Sequence, residues 1–163
     1  MARISAFLKK PRNQAIVFVL IVFGTYAFLS RPMNYAWDVA VVGDFAFVAN
    51  SVDGLDVVDT ADPNNPVKVG NFDSPGDARA IFISGHYLYL ADGNAGLQII
   101  NILNPASPER VAWVDTPGFA EDVVVVDQFA YVADRSDGLQ VISVANPNRP
   151  VLIRDVVRHL LSG

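Results

Sequence analysis

Acidic side chains recur at two kinds of place in this chain. Asp53, Asp92, Asn94, Asp134, Arg135 and Asp137 fall in one set of loops, and Asp77, Arg79 and Glu121 fall in a second. Such a collection could take a cation, or a basic or polyhydroxylated ligand. The competing reading is turn chemistry, because Asp and Asn before Gly tolerate unusual backbone angles and bond nearby amides. The run Asp134-Arg135-Ser136-Asp137-Gly138 has a faint likeness to a calcium loop. Calcium is the one cofactor this run suggests, although it lacks the regular acid spacing and the distal Glu of an EF-hand.

No catalytic residue and no metal ligand set emerges. There is no Cys, which excludes a cysteine nucleophile, a Cys-based zinc site and a disulfide framework. The two His, His86 and His159, stand far apart, and neither belongs to a credible Ser-His-Asp arrangement. Carboxylates are abundant, but no pair stands out. Gly76, Gly118 and the loop glycines form no phosphate cradle. Trp37 and Trp113 are candidate carbohydrate-stacking platforms, with core or edge packing as the plainer reading.

The 163 residues carry 17 Asp and Glu against 12 Lys and Arg, a net charge of −5. That balance argues against nucleic-acid binding, which needs a basic face. Hydrophobic content of 52% with 18% charged residues excludes a mostly disordered chain. The charge is unevenly placed: residues 1–14 hold Arg3, Lys9, Lys10 and Arg12 and no acid. The uncharged run Ala15–Leu29 follows. As a helix, those fifteen residues rise about 22 Å, so a span of a hydrocarbon core about 30 Å thick must also draw in the polar flanks. The expectation is an apolar N-terminal helix over residues 15–30, acting as an uncleaved signal-anchor or a cleaved signal peptide. The poor cleavage site Thr25-Tyr26-Ala27 favours the anchor. A buried core helix would leave the four preceding bases unexplained. The basic flank puts residues 1–14 in the cytoplasm and everything after the anchor outside it, with residues 31–35 as a linker.

The remainder is periodic. Gly54, Gly96 and Gly138 are 42 residues apart, as are Leu55, Leu97 and Leu139; Ala49, Ala91 and Ala133; Pro63, Pro105 and Pro147; and Pro66, Pro108 and Pro150. The units are 36–77, 78–119 and 120–157, with 158–163 as a tail. Each unit reads as four short strands. The second alternates aromatic and small residues: FAFVA, YLYLA, FAYVA. A polar loop ending in Gly leads to the third strand, and a proline-bracketed turn leads to a fourth, more polar strand suited to an outer edge. The fold expected is all-β: three four-stranded antiparallel blades of a β-propeller.

The third-strand motifs Leu55-Asp56-Val57-Val58-Asp59, Leu97-Gln98-Ile99-Ile100-Asn101 and Leu139-Gln140-Val141-Ile142-Ser143 resemble the LVIVD repeat. The aromatic-x-aromatic-x-Ala stretch before each and the Asp/Asn-Pro-x-x-Pro stretch after it are similar too. The resemblance implies a β-propeller-like domain, exported or on the cell surface. It implies no established activity and no catalytic residues. Asp59 becoming Asn101 and Ser143 points to a structural role at that position.

Three blades are fewer than the 4–8 of most propellers. Three outcomes fit: a piece of a longer propeller, two copies closing a six-bladed ring as a homodimer, or a stand-alone stack. Where earlier copies read Ser74-Pro75-Gly76 and Thr116-Pro117-Gly118, the third reads Arg158-His159-Leu160, which suits truncation. The function expected is a membrane-tethered, extracytoplasmic binding or scaffold module for a protein or carbohydrate ligand. The alternative is a part of a larger propeller that carries an exported hydrolase or lyase site.

Overall fold

Branched and aromatic residues dominate twelve short runs bounded by Gly, Pro, Asp and Asn. Each run is a strand in the computed structural model, which describes residues 35–155. The first sheet is β1 Asp38–Val42, β2 Phe45–Ala49, β3 Leu55–Asp59 and β4 Val67–Phe72. The second is β5 Ala80–Ser84, β6 Tyr87–Ala91, β7 Leu97–Asn101 and β8 Glu109–Val114. The third is β9 Asp122–Val126, β10 Phe129–Ala133, β11 Leu139–Ser143 and β12 Val151–Asp155. All three are antiparallel meanders in chain order. The expected all-β architecture of three four-stranded sheets is therefore present, in a β-propeller-like arrangement of blades. The expected N-terminal helix lies outside the described residues. Among the described residues no helix is long and apolar enough to cross a membrane.

Local chemistry accounts for the corners. The two-residue hairpin turns need a positive φ at their first position. Gly43 and Gly85 provide it, and Asp127 adopts φ +53° at the same place in the third blade, as Asp can in a left-handed turn. In each proline-bracketed turn, Asp62, Asn104 or Asn146 accepts the backbone N–H two residues on. Asp59 and Asn101 do the same for Ala61 and Leu103, which is a structural use of that position. The third and fourth strands of every blade slip register at one equivalent point, between Val57 and Val58, Ile99 and Ile100, and Val141 and Ile142.

The period-2 alternation decides the packing. On the middle sheet, Leu88, Leu90 and Ile100 pack toward the first sheet with Phe47, Leu55 and Val57. Its other face, Tyr89, Ala91, Leu97 and Ile99, packs toward the third sheet with Val123, Ala130 and Val132. The middle blade is thus buried on both faces, and the outer two on one each. Neighbouring blades approach most closely through their first strands, β1, β5 and β9. Isolated bridges from Ser51 to Ala78 and from Gly93 to Ala120 add backbone pairing across the joints.

Candidate functional site

The two sets of loops that carry the candidate residues meet at one end of the blades. Two of the acids are committed there to holding the chain. Asp92, fully buried, accepts a hydrogen bond from the Ser74 hydroxyl at 2.6 Å and another from the Gly76 amide at 3.1 Å. Asp134, equally buried and 42 residues on, accepts from Thr116 Oγ1 at 2.8 Å and from the Gly118 amide at 2.9 Å. Each carboxylate clasps the linker that crosses from the outer strand of one blade to the inner strand of the next. In the first blade this position is Asn50, whose side chain turns instead to Asp56 at 3.1 Å.

Beside the clasps runs a row of stacked side chains. The Arg79 guanidinium lies 4.1 Å from the centre of the Trp37 ring and 5.1 Å from that of Phe119. Arg135 covers Phe119 at 3.8 Å and is ion-paired with Glu121. Asp77 binds Arg79 at 2.5 Å and accepts the Ser51 hydroxyl at 3.0 Å. Tyr35 extends the row, tilted against Trp37 with ring centres 6.2 Å apart. Arg79 is mostly buried, and its Nε has no hydrogen-bond partner. The two rings and Asp77 must therefore offset the desolvation of its charge, and cation–π attraction is strongest when desolvated. Tyr35 and Trp37 remain about half exposed, at 53% and 51%.

A family model described as LVIVD repeat matches residues 34–74, 75–116 and 117–157, three consecutive copies that span all the sheets. The chain belongs to the LVIVD repeat family. Its fold is similar to a crystal structure of the computationally designed Ika8 protein, with a TM-score of 0.55 and 5% identity over 68% of this chain and 33% of that one. It is also similar to a structural-genomics protein of unknown function from Bacteroides thetaiotaomicron VPI-5482, with a TM-score of 0.56 and 17% identity over 82% of this chain and 34% of that one. The chain spans about a third of the length of each. No curated protein sequence matches it.

Across these LVIVD repeats, the candidate residues divide into three groups. Asp92 and Asp134 are buried linker clasps. Asp77, Arg79, Glu121 and Arg135 join the stacked row. Asp53, Asn94 and Asp137 stay in the within-blade loops: Asn94 is exposed, and the Asp137 carboxylate accepts the Ser136 hydroxyl at 3.3 Å. The run 134–138 is a 3-10 turn over Arg135–Asp137, with the Asp134 carboxylate facing the linker. Among the described residues no group of three or more His, Cys, Asp or Glu is placed to hold a metal ion.

Composition alone missed the part played by Tyr35, Trp37 and Phe119. The signal that finds them is the repeat itself. Tyr35, Asp77 and Phe119 are equivalent positions, as are Trp37, Arg79 and Glu121, and Ser51, Gly93 and Arg135. These columns change residue in every copy. The last of them nonetheless keeps one backbone conformation, φ +51°, +56° and +46°.

The Asp92 clasp predicts a pH dependence. Burial raises the pKa of this carboxyl to about 6; the Ser74 and Gly76 hydrogen bonds and Arg110 oppose the rise, and the nearby Asp77 charge adds to it. Between about pH 4 and 6 the folded chain therefore binds more protons at this site than the unfolded chain. The stabilisation from neutral Asp92 is complete below the ordinary carboxylate pKa and is lost as pH rises through about 6. Asp92→Asn is expected to remove a pH 4–7 stability slope of up to about 3 kcal/mol that the parent shows. Denaturant midpoints of both proteins across that range measure it. Parallel profiles would refute the assignment.

Proposed function

We propose that this LVIVD protein is a membrane-tethered, extracytoplasmic binding or scaffold module of β-propeller type, without catalytic activity. Its binding surface is the row Tyr35, Trp37, Arg79, Phe119 and Arg135. In this reading residues 1–14 stay in the cytoplasm, an apolar helix over 15–30 is the anchor, residues 31–35 link it, and residues 36–157 form the repeat module. The basic flank followed by an uncharged run supports the tether.

The observation that carries the reading is Arg79 held between Trp37 and Phe119. Trp, Tyr and Arg dominate the few residues that carry most binding energy in protein interfaces. A guanidinium already stacked and paired loses little freedom when a partner arrives. The partner class is a protein, which meets half-exposed rings rimmed by Asp77 and Glu121.

A photoreactive benzoylphenylalanine at Asn94, on the same end, tests this in the full chain in its native cells. The expected result is one discrete adduct, lost when Arg79→Ala removes the centre of the row. The same probe at Leu103, just before a proline-bracketed turn at the opposite end and 71% exposed, should give none. Equal adducts at both positions, or an adduct indifferent to Arg79, would sink the proposal.

A further inference from the structure

The two outermost blade faces are apolar and open, and the chain itself shows what fits each. On the third blade Val124 is 45% exposed, and Tyr131 and Val141 are half-buried. Their equivalents on the second blade, Phe82, Tyr89 and Ile99, pack within the joint to the third blade, where Tyr89 and Ile99 are 3% and 0% exposed. On the first blade Val39 and Val41 are 58% and 63% exposed. Their equivalents Ile81 and Ile83 pack in the joint between the first two blades. One chain thus carries both halves of an interface that it already forms twice internally.

We propose that the open face of the third blade seats the open face of the first blade of a second copy, in the register of the internal joints, and that two copies close a six-bladed ring. The count follows from the fold. Propellers run mostly from 4 to 8 blades, and six is the only multiple of three in that range. Two such contacts related by a two-fold axis close the assembly and leave no open flank.

The clasps agree with a joint between separate chains. A clasp pins a covalent linker, using an Asp and a Ser/Thr-Pro-Gly run. At the open joint every part is missing together. Asn50 replaces the Asp, and in the 42-residue register Pro32-Met33-Asn34 and Arg158-His159-Leu160 replace the Ser/Thr-Pro-Gly run. The closing joint in this register therefore carries no clasp.

The stacked row sets a condition on this register. Phe119 lies so close to Gly93 that a Cβ there would meet its ring at 2.8 Å. By the 42-residue period, Arg135 holds the place of Gly93, and Tyr35 of the second copy holds the place of Phe119. Arg135 carries the Cβ that Gly93 lacks, so closure requires the ring of that tyrosine to sit farther out than Phe119 does, against the Arg135 side chain. The same shift sets Arg135 opposite Ala36 of the second copy, as Ser51 faces Ala78 and Gly93 faces Ala120.

Light scattering of the full chain in detergent, corrected for the bound detergent, reads the assembly. The expected protein mass is twice 17.7 kDa. Val124→Asp, on an exposed position, should reduce it to one chain at the same concentration with an unchanged circular dichroism spectrum. A one-chain mass for the parent overturns the proposal. The absence of native Cys allows a test of register. Ser51→Cys with Ala78→Cys should form an intrachain disulfide, because bridged positions lie within disulfide reach. Arg135→Cys with Ala36→Cys should give a covalent dimer and no higher species. A ladder of larger species, or no interchain bond where the internal pair closes, counts against ring closure in this register.

Discussion

Gly76→Ala is expected to destabilise the protein by about 3–5 kcal/mol, combining an overpacked contact with lost hydrogen bonds. A Cβ at this position would stand 1.9 Å from the Asp92 backbone oxygen. That oxygen cannot retreat freely, because it accepts the Asp77 amide at 3.3 Å and the Ala95 amide at 3.0 Å. The linker must move instead, which pulls the Gly76 amide and the Ser74 hydroxyl away from the Asp92 carboxylate. The Ser74 hydroxyl is buried and the Gly76 amide part-buried, so little of the loss is recovered from water. Gly85→Ala is the matched control. It has open space around its Cβ, and only its left-handed φ of +61° resists the change, at about 1–2 kcal/mol. Urea unfolding of the full chain, followed by Trp37 and Trp113 fluorescence, separates the two. A Gly76→Ala midpoint equal to that of Gly85→Ala would show that the linker tolerates displacement.

Asp134→Ala is expected to cost about 2–4 kcal/mol, since it leaves a buried hydroxyl and a part-buried amide without their acceptor, at about 1–3 kcal/mol each. Thr116 is 5% exposed, and its hydroxyl and the Gly118 amide both point at this carboxylate. Asp134→Asn keeps one acceptor oxygen and should recover about half of the loss. A double-mutant cycle makes the argument sharper. Once Asp134 is Ala, Thr116→Val removes an unpaired hydroxyl rather than a hydrogen bond, so its own effect should fall to near zero or become stabilising. Additive effects of the two changes would mean that the clasp contributes nothing as a pair.

The clasps and the stacked row were legible to different degrees. Ser/Thr-Pro-Gly recurs 42 residues apart and so does the Asp that meets it, but the two are separated by 16 or 18 positions along the chain. Period alone does not say that they touch. Asp92 and Asp134 look in sequence like any Asp in a polar loop, open to turn chemistry or to an acidic ligand face. Folding returns the linker over the within-blade loop and buries both carboxylates. The stacked row is harder still to read, since its members are the positions where the repeat fails to repeat. Trp37, Arg79 and Glu121 share one column but no chemistry. Their meaning appears only when adjacent columns of adjacent blades are brought side by side.

The sequence by itself determined the blades. A period of 42 residues, alternation at period 2, and turn residues at each corner act over neighbouring positions, so strand limits, pairing order and the family motif could all be read from local pattern. The basic and apolar N-terminal segment was equally plain as composition, although it lies outside the described residues. Only the tertiary structure decided which acids are buried, which arginine lies between rings, and which two sheet faces are left open. Those outcomes depend on contacts between residues 16 to 43 positions apart or more, as when the Asp38 carboxylate accepts the Ile81 amide. Stacking order and burial set them, and one-dimensional spacing carries neither.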